Sequence, residues 1–353
     1  MLRLAKLLRR LVFLLPLWSA SAAWSADWDD ALGREIDRID RETPGQLGVY
    51  VKRLADGSAY SHGADRFWYL GSTVKVPIAI AVLRRVDEGQ LKLTDRVTLQ
   101  AGDKIEAGPL VWQRDGRSFT IDELLPRMLR DSDNTGANML MRTAGEERVT
   151  ALAKAAMGAA NVERITTLAQ VRYDVYAEIH PRARTLSNDQ LVLIASAPMG
   201  PQRVEAVRRA LNLKPAELQV RTMEQAYERY YARRLNAATL EGYGAMLEKL
   251  VRGQLLSPAG TRRMFSDMKL GIPTNYRLQA GLPRDLPFIH KTGTQHRTAC
   301  HAGVIEPENG GAEAIVVVTC AADVDEQKEA GRIFERVGQA LTRTLLAERG
   351  ARR

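Results

Sequence analysis

Cysteine is nearly missing from this chain: Cys300 and Cys320 are the only two in 353 residues. That scarcity excludes a disulfide-rich scaffold. Histidine is also sparse, at five residues, and only His301 stands near the cysteines, so no metal set and no other cofactor is implied. Aromatic residues make up 6% of the chain, and no nucleic-acid motif accompanies the scattered Arg and Glu, which read as a solvated surface. The longest apolar run of the N-terminus, Leu11 to Trp18, is too short to span a bilayer comfortably. There is no internal repeat and no low-complexity segment.

What is present begins with a leader. Arg3, Lys6, Arg9 and Arg10 form a positive end, the apolar run follows, and Ala20-Ser21-Ala22 supplies small residues where signal peptidase needs them. Residues 1–22 therefore read as a signal peptide, and the mature chain as periplasmic or secreted, with no membrane span once the leader is removed. The formal charge is +9, and subtracting the four basic residues of the leader leaves +5. That balance calls for no acidic macromolecular partner. The remaining 330 or so residues suffice for one large domain or two interdigitated ones; the chain is expected to be a monomer.

Residues 28–42 have helical spacing, with Leu32, Ile36 and Ile39 on one face. Two strands joined by the Asp56-Gly57 turn come next. A helix from about Ser72 to Glu88 is apolar on most sides and so belongs in the domain centre; Ser72 can cap its first turn. Helical patterns continue at 121–130, 136–144, 149–157, 187–195, 203–211, 223–233 and 239–250. The period then changes to three strands, FIHKTGT, CHAGVIEP and EAIVVVTC, followed by a helix over 326–346. The turn Glu308-Asn309-Gly310-Gly311 would set Cys300 opposite Cys320, either as a cross-strand disulfide or as two buried thiols. The expected architecture is a two-lobe α/β fold. Residues 28–72 and 270–346 form an antiparallel sheet built from both termini and packed with helices. Residues 73–269 form a mainly helical lobe, with extra helices around 187–235. A crevice between the lobes is the expected place for a small molecule.

Three short polar patterns fall at the edges of these elements. In Ser72-Thr73-Val74-Lys75, residues three apart share a helix face, so a lysine amine stands beside a serine hydroxyl. A hydroxyl is a weak nucleophile until a base takes its proton, and a buried lysine with a lowered pKa can do so. The helix N-terminus adds a positive field. In Ser132-Asp133-Asn134, Ser132 can relay a proton, Asn134 can contact a substrate amide, and Asp133 can tie the loop from behind. In Lys291-Thr292-Gly293-Thr294, the ammonium and the two hydroxyls suit a substrate carboxylate, and Gly293 admits a ligand close to the strand. The N–H groups of Ser72 and Thr294 could form an oxyanion hole. Each pattern alone also has a plain reading, as a cap or a solvated strand end.

In this order the three patterns resemble the serine β-lactamase and penicillin-binding superfamily, nearest its class A branch. The resemblance runs from about Asp29 to Leu346. It includes the Phe67-to-Pro77 context, Asn138, and the ending VVVTCAADVDEQKEAGRIFERVGQAL. It implies an acyl-enzyme formed on Ser72 with a β-lactam or a D-Ala-type cell-wall substrate. Lys75 would be base or shuttle, Ser132 the relay, Asn134 an amide contact, and Lys291, Thr292 and Thr294 the carboxylate and oxyanion side. Trp112 would form one wall of the entrance. Three departures accompany it. The glutamate that hydrolyses the acyl-enzyme should fall near Leu168-Ala169, where neither residue is acidic; Asp174 and Glu178 are the nearest candidates. Residues 185–234 form an addition, whose Tyr227, Tyr230 and Tyr231 could grip a substrate or simply pack. Cys300 stands where an arginine is often found, leaving Arg297 or His301 to replace it. The implied function is a β-lactamase-type serine hydrolase; the alternatives are a D-alanyl peptidase or other amide or ester hydrolase, and a non-catalytic cell-wall or β-lactam binder.

Overall fold

The computed structural model describes residues 27–268 and 276–347. The expected leader, residues 1–22, lies outside them. Helix α1 (Asp27–Arg41) leads into strands β1 (Gln46–Arg53), β2 (Ala59–His62) and β3 (Phe67–Tyr69). A 3-10 turn, Gly71–Val74, runs straight into α2 (Lys75–Asp87). Strands β4 (Arg96–Thr98) and β5 (Ser118–Thr120) pair beside α3 (Ile121–Leu129), α4 (Asn134–Ala144) and α5 (Glu146–Met157). Helices α6 (Leu168–Ile179), α7 (Asn188–Ser196), α8 (Pro201–Ala210) and α9 (Met223–Ala232) follow. Strand β6 (Ala237–Thr239) pairs with β3 and opens onto α10 (Leu240–Val251) and α11 (Pro258–Asp267). Strands β7 (Phe288–Gln295), β8 (Thr298–Ile305) and β9 (Ile315–Ala322) precede α12 (Glu329–Leu341), which continues as a π turn to Leu346.

The main sheet has the order β2-β1-β9-β8-β7 and its pairs are antiparallel, so strands from both ends of the chain close one layer. The apolar run of β9, interrupted by buried Thr319 alone, follows from burial on both faces. Ile315, Val317 and Ala321 join a core with Trp28, Leu32, Ile36 and Ile39 of α1 and Phe334 and Val337 of α12. The alternate residues Val316, Val318 and Cys320 face the other way, into a core shared with α2, α4 and α10. Strand residues alternate in direction, so one sequence feeds two cores. Cys300 and Cys320 are directly opposite in register and form a disulfide.

Helix α2 is buried from Lys75 through Leu83, which accounts for a helix without a polar stripe. Pro77 sits in its first turn, where its missing N–H breaks no helical bond. The added segment folds as α7, α8 and α9, which pack with α6 around Val175, Tyr176, Leu191, Val207 and Tyr227. It enlarges the helical lobe. Helices α6 and α11 are additions to the sequence-based expectation. In α6, Val171, Val175, Tyr176 and Ile179 are buried against the third core while Leu168 also touches the first, so no single apolar stripe marks it. Its start was legible: Thr167 accepts from the Gln170 N–H at 3.1 Å, an ordinary N-cap.

Candidate active site

Ser72 sits on the 3-10 turn ahead of α2. Contrary to expectation its side chain caps nothing: neither the turn nor α2 has a side-chain cap. The hydroxyl is left to Lys75 Nζ, 3.1 Å away. Lys75 is fully buried and reaches across to the loop before α4. It donates to Ser132 O at 2.6 Å and Asn134 Oδ1 at 2.6 Å, and lies 3.1 Å from Ser132 Oγ. From the third element, buried Lys291 of β7 places Nζ 3.0 Å from the same Ser132 Oγ. Three segments far apart in sequence thus meet at two hydroxyls and two amines.

The loop that delivers Ser132 is held open by its neighbours. Ser132 itself has φ +58, a left-handed conformation uncommon outside glycine. Buried Asp133 caps α4 through the Gly136 N–H at 2.8 Å and accepts from Leu110 N at 2.9 Å. Asn134 turns its oxygen to Lys75 and its Nδ2 to Glu106 O at 2.9 Å. Both the capping role and the loop-tying role of Asp133 are therefore realised together.

Burial lowers the Lys75 pKa well below the ordinary lysine value, neighbouring Lys291 lowers it further, and Asp133 opposes the shift. For Lys291, burial and then Arg277 bring the value down to about 7. A neutral amine has two N–H groups and one lone pair. The two 2.6 Å contacts of Lys75 are to carbonyl oxygens, which only accept, so they take both hydrogens. The lone pair then faces the hydroxyls. That is the arrangement a base needs.

Strand β7 is the sheet edge beside Ser72. Its His290 N–H leaves the sheet to bond Met268 O at 3.1 Å. On an antiparallel strand such outward groups recur every second residue, so the Thr294 N–H also points off the edge. Backbone contact there is close. A Cβ on Gly71, whose φ is +53, would come 2.8 Å from Thr294 N, and one on Gly293 would overlap Leu70 O and sit 3.2 Å from Ser72 N. The N–H groups of Ser72 and Thr294 thus lie side by side on adjoining backbones, where both can point at one oxygen. Thr292 is half-buried and Thr294 exposed.

Several expected residues stand elsewhere. Arg297 turns to Asp323 (3.6 Å) and its N–H bonds Glu326, so it is engaged at the β7–β8 turn. His301 is buried against His290, ring nitrogen to ring nitrogen at 2.8 Å, and accepts from Leu278 N. The cation beside Thr294 is instead buried Arg277, which donates to Thr294 Oγ1 at 2.7 Å and to Gly293 O and Cys300 O. It precedes β7 in a segment without periodicity, with φ +51, and no sequence signal marked it. Asp174 is buried, and its Oδ1 is taken up in ion pairs with Arg184 (2.7 Å) and Arg233 (3.3 Å). Glu178 is at the far end of α6 from Leu168, about 15 Å along the axis by helical rise. Asn138 tethers Leu168 by accepting its N–H at 2.8 Å. Neither acid figures among the groups that act on the charge of Lys75. Trp112 is 78% exposed on the turn Pro109–Trp112 beside Asp133. Tyr227 and Tyr230 are buried in helix packing, and Tyr231 donates to His296 O at 2.8 Å.

Two buried lysines, with Asp133 the one opposing charge acting on Lys75, cost stability. The unfolded chain keeps the Lys291 proton up to about 10.5 while the folded one releases it near 7. Between those values the unfolded state binds more protons, so stability rises with pH across that window. At neutral pH the cost is on the order of 4 kcal/mol at 1.36 kcal/mol per pH unit. Lys291→Met is therefore expected to raise the melting temperature at pH 7, by an amount that shrinks toward pH 10.5. The same variant should bind carboxylate-bearing ligands at least tenfold more weakly. Thermal melts across that pH range check it; a melting temperature that drops at pH 7 would contradict the assignment.

A two-lobe fold with a buried lysine against a part-buried serine, a bridging second serine and a second lysine on the sheet edge defines the serine β-lactamase and penicillin-binding superfamily, close to class A. The model of the beta-lactamase enzyme family matches residues 31–345, and the chain belongs to that family. A beta-lactamase of Rhodobacter capsulatus is 33% identical over 137 residues, which are 38% of this chain and 47% of that protein. The chain spans about half the length of the curated relatives it matches. Among solved structures, PBP-A superposes with a TM-score of 0.66 at 19% identity, covering 90% of this chain and 96% of that one. A beta lactamase from Xanthomonas campestris pv. campestris gives 0.66 at 22%, covering 90% and 99%. At these identities the likeness is one of fold.

Proposed function

We propose that this chain is an exported serine hydrolase that forms an acyl-enzyme on Ser72 with β-lactams and related amides carrying a carboxylate. The observation that carries the proposal is Lys75 Nζ, 3.1 Å from Ser72 Oγ and held at 2.6 Å by the carbonyl oxygens of Ser132 and Asn134. Lys75 takes the Ser72 proton as Oγ attacks the amide carbonyl. The N–H groups of Ser72 and Thr294 receive the oxyanion. Ser132, between the two amines, hands a proton to the leaving nitrogen. Lys291, Thr294 and Arg277 form the positive side that takes the substrate carboxylate, and Asn134 takes its amide. Substrate is then a small molecule, with one protein copy and no cofactor sufficient. Turnover of β-lactams would make the enzyme an antibiotic-resistance determinant.

A second reading, a D-alanyl peptidase or a β-lactam trap, is favoured by one observation. Leu168 holds the place where a deacylating glutamate is expected, and Asp174 is bound to arginines. One experiment separates the readings. The purified protein is mixed with a chromogenic cephalosporin, and turnover and intact mass are followed together. Many turnovers per protein support the hydrolase. A single burst with a lasting adduct on Ser72 supports the second reading, and no adduct at any time removes both. The same mass spectrum tests export, since a chain from the periplasm should lack residues 1–22.

A further inference from the structure

Packing accounts for the ring of Tyr227 but not for its hydroxyl, whose partners come from opposite walls of the crevice. We infer that Tyr227 is a positioning residue for acylation: its hydroxyl ties the end of β7 that carries the Thr294 N–H to the wall that carries Asn134. This inference rests on the acyl-enzyme reading above.

Strand β7 is paired on one side only, and its last pair is Gln295 with Thr298. The Thr294 N–H is therefore one residue from the end of an edge strand. Helix α9, which belongs to the added segment, braces that end. Tyr227 and Tyr231 lie four residues apart, on one face of the helix. Tyr227 OH donates to Gln295 Oε1 at 2.9 Å, and Tyr231 OH donates to His296 O at 2.8 Å. The Gln295 oxygen also accepts from His296 N at 3.1 Å, which orients its amide. Burial holds the Tyr227 phenol above its ordinary pKa, so the proton it donates stays in place.

The other partner of the phenol belongs to the helical lobe. Arg172 of α6 donates to Tyr227 OH at 2.5 Å and also pairs with Glu106. The Glu106 carbonyl accepts from Asn134 Nδ2 at 2.9 Å, and Asn134 Oδ1 holds Lys75. A buried network whose members are all bonded specifies one geometry. This one reaches both segments that must meet around the substrate. The strand end supplies an oxyanion donor, and the Asn134 loop supplies the amide contact and the proton relay. Donors to a developing oxyanion act only when held close to one place. Lys291 stands four residues before the strand end, against Ser132 Oγ, and does not depend on the phenol. Carboxylate binding should therefore outlast the loss of the hydroxyl, while the rate should not.

The test is Tyr227→Phe, which keeps the ring in its packing and removes the bridging hydroxyl. Acylation of Ser72 by a chromogenic cephalosporin should slow about tenfold, the cost of a misplaced donor. Phenylboronic acid forms an adduct with Ser72 Oγ that sets an oxygen between the Ser72 and Thr294 N–H groups. Its affinity should fall by a similar factor, as for any mimic of the transition state. Benzoate, which offers Lys291 a carboxylate alone, should bind within about twofold of the unaltered protein, and the melting temperature should move by no more than about 3 °C. Gln295→Met cuts the same bond from the other side, so the double variant should acylate no more slowly than the slower single variant. A loss of acylation smaller than about threefold in Tyr227→Phe overturns the assignment, and so do losses that multiply in the double variant. An equal fall in acylation, boronate affinity and benzoate affinity overturns it as well, since that is the mark of general loosening. If the unaltered protein forms no Ser72 adduct, the acyl-enzyme reading fails and takes this assignment with it; the other adverse results leave that reading standing.

Discussion

Lys75→Met is expected to slow acylation of Ser72 by about 10³-fold or more, with the fold retained or stabilised. General-base assistance is worth roughly 10²–10⁴ in rate, and here one amine serves both Ser72 and Ser132, so its loss removes proton acceptance and relay at once. Methionine matches the length of the lysine stem and removes a charge that burial already opposes. The pH profile carries the more telling sign. Acylation in the unaltered enzyme should rise with pH as Lys75 loses its proton, at a value well below that of free lysine. It should fall again above about 7, as Lys291 loses the charge that attracts a substrate carboxylate. In Lys75→Met the rising limb should vanish while the falling limb remains. Stopped-flow acylation between pH 5 and 9 reads both. A variant that keeps its rising limb would assign the base to another group.

Much of this arrangement was legible in the sequence. S-x-x-K at the mouth of an apolar helix, Ser132-Asp133-Asn134 between helices and Lys291-Thr292-Gly293 on a strand named the residues that converge. The sheet could be read from both termini because its strands keep period two or run apolar throughout. What escaped had physical reasons. Arg277 stands on a 3-10 turn whose conformation is set by bonds to Gly293, Thr294 and Cys300, all nonlocal. Helix α6 is buried on more than one side, so its amphipathic signal is erased. Asp174 was a candidate because it is acidic and nearby in sequence; only the fold shows Arg184 and Arg233 closing on it.

The oxyanion site gives the second large effect, because it is built from backbone and cannot be edited by trimming side chains. Gly293→Ala would put a methyl group onto Leu70 O and within 3.2 Å of Ser72 N. Neither neighbour can turn aside, since Leu70 N is bonded to Asn236 O and β7 is paired along its length to β8. The strand edge must therefore move away from the turn that carries Ser72. Losing one oxyanion donor costs about 10²–10³ in rate, and both donors separate here, so acylation should fall at least 10²-fold. The overlap should also cost roughly 1–3 kcal/mol of stability, as overpacking does. Ligand binding through Lys291 and Arg277 should suffer less than the rate, because those cations approach from the sheet side. Acylation kinetics, a binding titration with a carboxylate-bearing inhibitor and a thermal melt would be read on the same preparation. An alanine tolerated with full acylation would mean that β7 and the Ser72 turn do not share the reacting carbonyl.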